Sequence, residues 1–316
     1  MRPDRGLHGP ERPTIRDIDA LNRVFSEAFT DRYTRDGLTG VRVPHLNPLV
    51  WRYAIEDAGG GAMIWRDADG GIAGFNMVHR SGTEGWMGPI AVRPDLQSEG
   101  LGTAMVRAGI AWLEQENAET VGLETMPRTI ENIGFYSRLG FVPGPLTITL
   151  VRDLVRANGA RAERLSAEGD FDALVAECRA LTNHLSPGVD FTREIALTQE
   201  LALGDTALIR RNGALAAFAL WHSAPLAAGR PRDELRVLKV VAVDVDAFAS
   251  LIDGVQAAAE EERVRRVSIR AQTALGDAYL RLIGLGFRVH WTDLRMTLRD
   301  KPERPGRGIV MSNWEI

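Results

Sequence analysis

Glycines 100 and 102 close a polar turn, Gln97-Ser-Glu-Gly-Leu-Gly102, between the apolar stretch Gly88-Pro-Ile-Ala-Val92 and a helical pattern that opens at Thr103. A strand feeding a glycine turn at a helix start is built to hold an anion. The first-turn N–H groups of a helix have no intrahelical acceptor, and the aligned peptide dipoles put partial positive charge beside them. Glycine lets that backbone approach a phosphate without a Cβ in the way. The chemistry indicated is retention of a pyrophosphate.

Which pyrophosphate follows from what the turn lacks. A nucleoside-triphosphate loop needs a lysine after its last glycine, and Gly102 is followed by Thr103. A dinucleotide fingerprint needs a third glycine, and none stands in Thr103-Ala-Met105. What remains is Gln-x-x-Gly-x-Gly after an apolar strand. Further on, Asn132-Ile-Gly-Phe-Tyr-Ser-Arg-Leu-Gly-Phe141 reads as a short helix capped by Gly140, with Phe141 opening a strand. A helix (Thr103 to about Asn117) and a strand (about Thr120 to Thr125) separate the two motifs. Both motifs, in this order and with these elements between them, resemble the signatures of the GCN5-related N-acetyltransferase (GNAT) superfamily.

That resemblance implies acetyl-CoA as donor and CoA as product. The pyrophosphate would lie on the backbone of Gln97, Ser98, Glu99, Gly100, Leu101, Gly102 and Thr103, and the pantetheine would run beside Ile90, Ala91 and Val92 as a pseudo-strand. The amine attacks directly, so no covalent enzyme intermediate is needed, and the lone Cys178 lies away from the motifs. Tyr136 is the candidate general acid for the departing thiolate. Asn132 is a candidate for the pantetheine or a water, although the family's asparagine often stands seven before the tyrosine, where this chain has Thr129. Glu84 and Glu124 are candidate general bases, a role that burial would suit by raising a carboxyl toward neutrality. His79 reads as a surface residue at a strand end, and no histidine–carboxylate set has metal-ligand spacing, so no metal is expected.

The elements that position these residues follow the family's order. Thr14 to Ile18 reads as a strand or lead-in, with Asp17 or Asp19 capping a helix that carries Leu21, Val24, Phe25 and Phe29. A loop from Asp31 to Pro48 and a short helix at Leu49 to Asp57 come next. The hairpin Ala62–Trp65 and Ile72–Val78 turns at Asp67-Ala-Asp-Gly-Gly71. Leu146 to Leu150 completes the sheet. After a linker at Val151 to Glu163 the order repeats: a helix at Asp172 to Leu181, a hairpin at Ala207 to Trp221, a strand at Leu238 to Val243, a helix at Phe248 to Glu262 and Leu-Gly-Phe287. The reading is a mixed α/β chain of two tandem GNAT folds, each a twisted mixed sheet flanked by helices. They span 13–152 with the donor motif and 163–300 without it, and a tail follows at 301–316. The second copy is degenerate. Asp244 and Asp246 stand where its pyrophosphate would lie, Leu282 replaces the tyrosine, and CoA binding is not expected there. Gly308 to Trp314 is apolar enough to dock, as an edge strand.

The 316 residues carry 38 Lys and Arg against 42 Asp and Glu, without a basic stripe, which argues against nucleic acid as partner. No apolar run approaches the roughly 20 residues needed to span a bilayer, and the first residues lack a signal-peptide core, so a cytoplasmic protein that does not engage membranes is expected. The function read from the chain is transfer of acetyl from acetyl-CoA to a primary amine of a small molecule by the N-terminal domain, with a homodimer as a possible assembly. The alternatives are a non-catalytic acyl-CoA-binding or sensing protein, which would bind without turnover, and acetylation of a protein or peptide amine, which would need an open groove.

Overall fold

The computed structural model describes residues 6–154, 162–167 and 169–314, so the expected linker lies partly outside the described residues. The first half runs β1 (His8–Glu11), α1 (Ile18–Arg35), α2 (Pro48–Ala58), β2 (Ala62–Arg66), β3 (Ile72–Ser81), β4 (Glu84–Val92), α3 (Leu101–Gln115), β5 (Thr120–Thr125), α4 (Ile130–Arg138) and β6 (Phe141–Asp153). The second runs β7 (Glu163–Arg164), α5 (Phe171–Leu185), α6 (Thr192–Glu200), β8 (Gly204–Arg211), β9 (Ala214–His222), β10 (Glu234–Ala242), α7 (Val245–Glu261), β11 (Arg266–Gln272), α8 (Gly276–Gly284) and β12 (Arg288–Leu298), and β13 (Ile309–Ser312) ends the chain's regular structure. The order α1 to β6, without β1, recurs as α5 to β12, again without β7.

Local chemistry sets these boundaries. Thr14 and Asp17 form a reciprocal capping box around a 3-10 turn, so of the two readings of this stretch the lead-in to α1 holds and the strand does not. The helix then runs on to Arg35, taking residues 31–35 from the expected loop. Pro48 opens α2, and Asn47 accepts from the Leu49 N–H to cap it. In the β2–β3 hairpin Asp67 accepts from the N–H groups of Asp69 and Gly71, which closes the turn.

All thirteen strands form one sheet, in the order β1-β2-β3-β4-β5-β12-β6-β11-β10-β9-β8-β7 with β13 paired to β10. The order carries an exchange. β6 does not lie beside β5, as expected from Leu146–Leu150 completing its own half's sheet. β12 pairs antiparallel with β5 instead, and β6 with β11. Each half therefore finishes the sheet of the other. The tail docks as expected: among the described strands β13 pairs only with β10, along Lys239–Ala242, on the edge opposite β9. One face of β3 and β4 packs on α1 and α2 through Leu21, Trp51, Phe75 and Ala91, and the other packs on α3 through Val78, Met87, Val106 and Leu113.

Candidate active site

The two central strands of the first half part where the motif predicts a guest. β4 and β5 run parallel and pair only from Glu84–Thr120 to Met87–Leu123. A bulge follows, and Ile90, Ala91 and Val92 pair on one side with Asn76, Phe75 and Gly74 of β3. Among the described strands none pairs with their other edge. That edge offers backbone donors and acceptors at fixed spacing to an extended guest.

The wedge opens toward the start of α3. Gly100 takes the N-cap with φ +95°, a conformation that favours glycine, and no side chain caps the helix. The first turn of α3 carries no acidic residue. The helix starts at Leu101, two residues earlier than expected, so Gly102 and Thr103 present their N–H groups within the first turn. The motif's glutamine fastens the loop, with Gln97 Nε2 donating to the Val92 carbonyl at 3.1 Å. Ser98 and Glu99 are exposed on the turn, and Ser98 has φ +65°. The stretch Gln97–Thr103 and the edge Ile90–Val92 thus border one wedge, as the sequence predicts.

Tyr136 lies buried on α4, its ring tilted against Phe135 and edge-on to Phe141. Burial pushes its phenol up to about 12, so it stays protonated at working pH and can donate. Asn132 Nδ2 reaches Thr125 Oγ1 at 3.4 Å at the end of β5, so it lies beside the wedge. Thr129, where the family's asparagine often stands, instead donates to Asp36.

The two candidate bases differ in state. Glu124 is the residue of β5 just beyond the last β4–β5 pair, at the apex of the wedge. It accepts from Thr147 Oγ1 at 2.5 Å, from Arg295 Nη1 at 2.8 Å and from Arg270. Burial raises its carboxyl, but the two guanidiniums outweigh burial and hold it below its ordinary value. Raising toward neutrality, expected for a base, does not occur there. Glu84 is the first residue of β4, four residues before the parting of the strands, and accepts from Ser312 Oγ at 2.9 Å. Burial pushes its carboxyl up, against Arg295 at 3.9 Å.

His79 is not a surface residue. It is 3% exposed, and its Nδ1 lies 2.6 Å from Oδ2 of the equally buried Asp57. The partner is 22 positions earlier, on α2, where no local spacing reveals it. Cys178 is buried in α5, and burial pushes its thiol up to about 12, far from a nucleophile's range.

The corresponding wedge of the second half is filled by the chain itself. β10 and β11 pair in parallel from Glu234–Arg266 to Val237–Ile269, the same four-residue register as β4 with β5. By that register, Lys239–Ala242 match Pro89–Val92. These are the residues that β13 pairs with. Asn313 closes the apex, its Nδ2 donating to the carbonyls of Leu238 and Arg270 at 3.3 and 3.2 Å. At the start of α7, Asp244 caps the helix by accepting from the Ala247 N–H at 2.8 Å and pairs with Arg211. A carboxylate thus stands where the first half has an uncapped turn.

The Arg211 hydrogen bond and the helix N–H hold Asp244 down at about 2. Its ordinary value is 3.8. A depressed carboxyl stabilises the fold above its ordinary value and loses that contribution as pH falls through the folded value. Asp244→Asn is therefore expected to flatten the fall in urea midpoint between about pH 4 and pH 2, with a small effect because the pair is half exposed.

Comparison with known proteins agrees with this geometry. Residues 20–141 match the family model described as Acetyltransferase (GNAT) family. No curated protein matches the chain. Among solved structures, a putative acetyltransferase from Pyrococcus horikoshii is similar with TM-score 0.68 at 14% identity, covering 96% of this chain and 94% of that one. A tandem GNAT protein from the clavulanic acid biosynthesis pathway gives 0.59 at 12%, covering 94% and 100%. An N-myristoyltransferase of Saccharomyces cerevisiae with bound myristoyl-CoA gives 0.64 at 12%, covering 96% and 84%. At these identities the structures speak for the fold alone. Among the described residues no helix is long and apolar enough to cross a membrane.

Proposed function

We propose that this chain, whose residues 20–141 match the model of the Acetyltransferase (GNAT) family, is an acyltransferase working from an acyl-CoA donor, and that it transfers acetyl from acetyl-CoA to a primary amine of a small molecule with the first half carrying the chemistry. The observation that carries the choice of half is the contrast between the two wedges. One is bordered by a free strand edge and an uncapped glycine turn; the other holds β13 and the Asp244 carboxylate. Pyrophosphate is favoured by the N–H groups of Gln97–Thr103 and repelled by a carboxylate at the matching place.

In this reading the donor supplies an activated acyl thioester, and the chain does the rest. The edge of Ile90–Val92 aligns the pantetheine, and a backbone N–H on that edge stabilises the oxyanion. Tyr136 protonates the leaving sulfur. A small acceptor is favoured over an extended peptide because α2 of the first half and α6 of the second pack against each other beside the face of β3 that carries His79.

Calorimetry with acetyl-CoA, followed by thiol release in the presence of primary amines, tests the proposal. One binding event per chain and amine-dependent release support it; no binding by the folded protein overturns it. Tyr136→Phe is expected to lower kcat on the order of 10²-fold with acetyl-CoA affinity unchanged. Any basic limb below about pH 10 should persist in that variant, since Tyr136 titrates near 12.

A further inference from the structure

The face of β3 that carries His79 holds a buried polar cluster that the mechanism above leaves unused. A small cavity, about large enough for one water, is lined by Tyr53, Asp57, His79, Leu238, Asn313 and Trp314. Among the described residues, His79 Nε2 and Asp57 Oδ1 have no hydrogen-bond partner, and neither has Glu194 Oε2 nor the indole nitrogens of Trp86 and Trp314. Buried polar atoms are rarely left unmatched, and several together mark a place that exchanges protons or holds a polar guest. The dyad geometry is that of an oriented base. Asp57 takes the Nδ1 side of the imidazole; with Nδ1 as the donor in that contact, Nε2, which has no hydrogen-bond partner, is the acceptor nitrogen of a residue that lines the cavity.

Position relative to the wedge favours His79 over Glu84. His79 pairs with Trp86 across β3 and β4, two residues before Gly88. At about 3.3 Å per residue this is roughly 7 Å along the strand from the parting, against roughly 13 Å for Glu84. Its side chain shares the α1–α2 face with Trp86, whose ring lies flat across Gly122 of β5, where a Cβ would come within 2.5 Å of it. Glu124 is nearer still, but two arginines already claim its lone pairs.

Resting on the transfer reading above, we propose that His79 is the general base of the acyl transfer and that Asp57 is its positioning residue. The acceptor arrives as an ammonium and passes one proton to His79 Nε2, directly or through a water in the cavity. The freed nitrogen attacks the thioester carbon. The C–S bond breaks and sulfur takes the Tyr136 proton, while the proton lost by the new amide nitrogen returns to Tyr136 through solvent. Net, one proton leaves with the dyad for each amide formed. The ionisable groups packed around the dyad are Tyr53 on α2 and Arg193 and Glu194 on α6, with Lys239 on β10 paired to Glu194. Arg193 Nε lies 3.8 Å from Asp57 Oδ1, and Lys239 Nζ 3.6 Å from Glu194 Oε1.

The test follows thiol release from acetyl-CoA with spermidine, tyramine and glucosamine across pH 5.5 to 9.5. His79→Gln should lower kcat at least about 100-fold, keep acetyl-CoA affinity within about threefold and lose the acid limb. Asp57→Asn should lower kcat at least about tenfold with KM for acetyl-CoA unchanged, because the imidazole loses the carboxylate that orients it. Histidine ¹⁵N NMR on the unaltered protein gives a reading independent of variant folding: His79 should show a bare Nε2 that titrates with the kcat limb. His79→Gln that keeps wild-type kcat, or a His79 Nε2 protonated throughout, overturns the dyad and leaves the transfer reading standing. A wild type that binds no acetyl-CoA overturns the transfer reading and the dyad with it.

Discussion

A Gly100→Glu, Gly102→Glu variant is expected to lose acetyl-CoA binding by at least about 10³-fold while remaining folded. The expected loss has an electrostatic origin. Each glutamate brings a carboxylate to a turn whose N–H groups would carry a pyrophosphate, and like charges about 4 Å apart repel by about 4 kcal/mol at an effective dielectric near 20. One such repulsion, at 1.4 kcal/mol per tenfold, already approaches the expected factor. The second half shows the same device in native form, with Asp244 on the start of α7.

The two positions contribute differently, and the single variants separate strain from charge. Gly100 has φ +95°, so any side chain there strains the backbone by about 1–2 kcal/mol. Gly102 lies within the helix, and a Cβ would meet only Phe135 Cζ at 3.6 Å and Val92 Cγ2 at 3.9 Å, ordinary contacts. Gly102→Glu alone should therefore lose most of the binding with little change in Tm. Gly102→Ala should keep much of the affinity. Calorimetry with thermal denaturation on the same samples checks both. A double variant that binds acetyl-CoA as the wild type does would place the donor elsewhere.

This wedge was legible in the sequence because its determinants are local. The bulge, Gln97, Gly100 and the start of α3 lie within about a dozen residues, and each has a stereochemical reason to be what it is. The hairpin and the two long helices of the second half, α5 and α7, could be read for the same reason, whereas α6 was not. The strand exchange could not. Phe141–Asp153 and Arg288–Leu298 both alternate as sheet strands should, and nothing in either distinguishes β5 from β11 as neighbour. The choice is made by long-range pairing and by ions such as Arg295, which joins Glu124 to Glu303 only once β12 lies beside β5. His79 escaped for a related reason. A lone histidine at a strand end has no signature until α2 folds over it and supplies Asp57.

Removal of the tail after Arg307 should leave a chain that no longer folds cooperatively, although it deletes none of the residues bordering the acyl-CoA wedge. Gly308, with φ +67°, turns the chain against the carbonyls of Ala242 and Val243, where a Cβ would come within 3.0 Å, and β13 then enters the second wedge. Ile309 and Met311 complete the second core, Met311 with no exposure. Trp314 stacks on Trp86 at 5.3 Å and lies 3.7 Å beneath Lys239 Nζ, while Arg295 Cζ sits 3.7 Å from the Trp86 ring. The tail thus links Lys239 and Arg295, both of the second half, through its own indole and that of Trp86 in the first half, and Ser312 serves Glu84 and Arg295. Met311→Ala alone should cost about 2–5 kcal/mol, as deletion of a fully buried thioether side chain does. Full truncation adds the lost strand pairing and leaves Lys239 and Glu84 without these partners, which together exceed the 5–15 kcal/mol that holds a typical domain folded. Urea denaturation of Met311→Ala, Trp314→Ala and the truncated chain should show graded loss in that order of severity for the last. Titration of Met311→Ala with acetyl-CoA should still give one event, because Asp244 and the missing glycines bar the second wedge even when the strand that fills it is weakened. A truncated chain with an unchanged midpoint would mean that β13 merely lies in the wedge, and a second binding event in Met311→Ala would mean that the tail, and not the lost motif, is what keeps the second half silent.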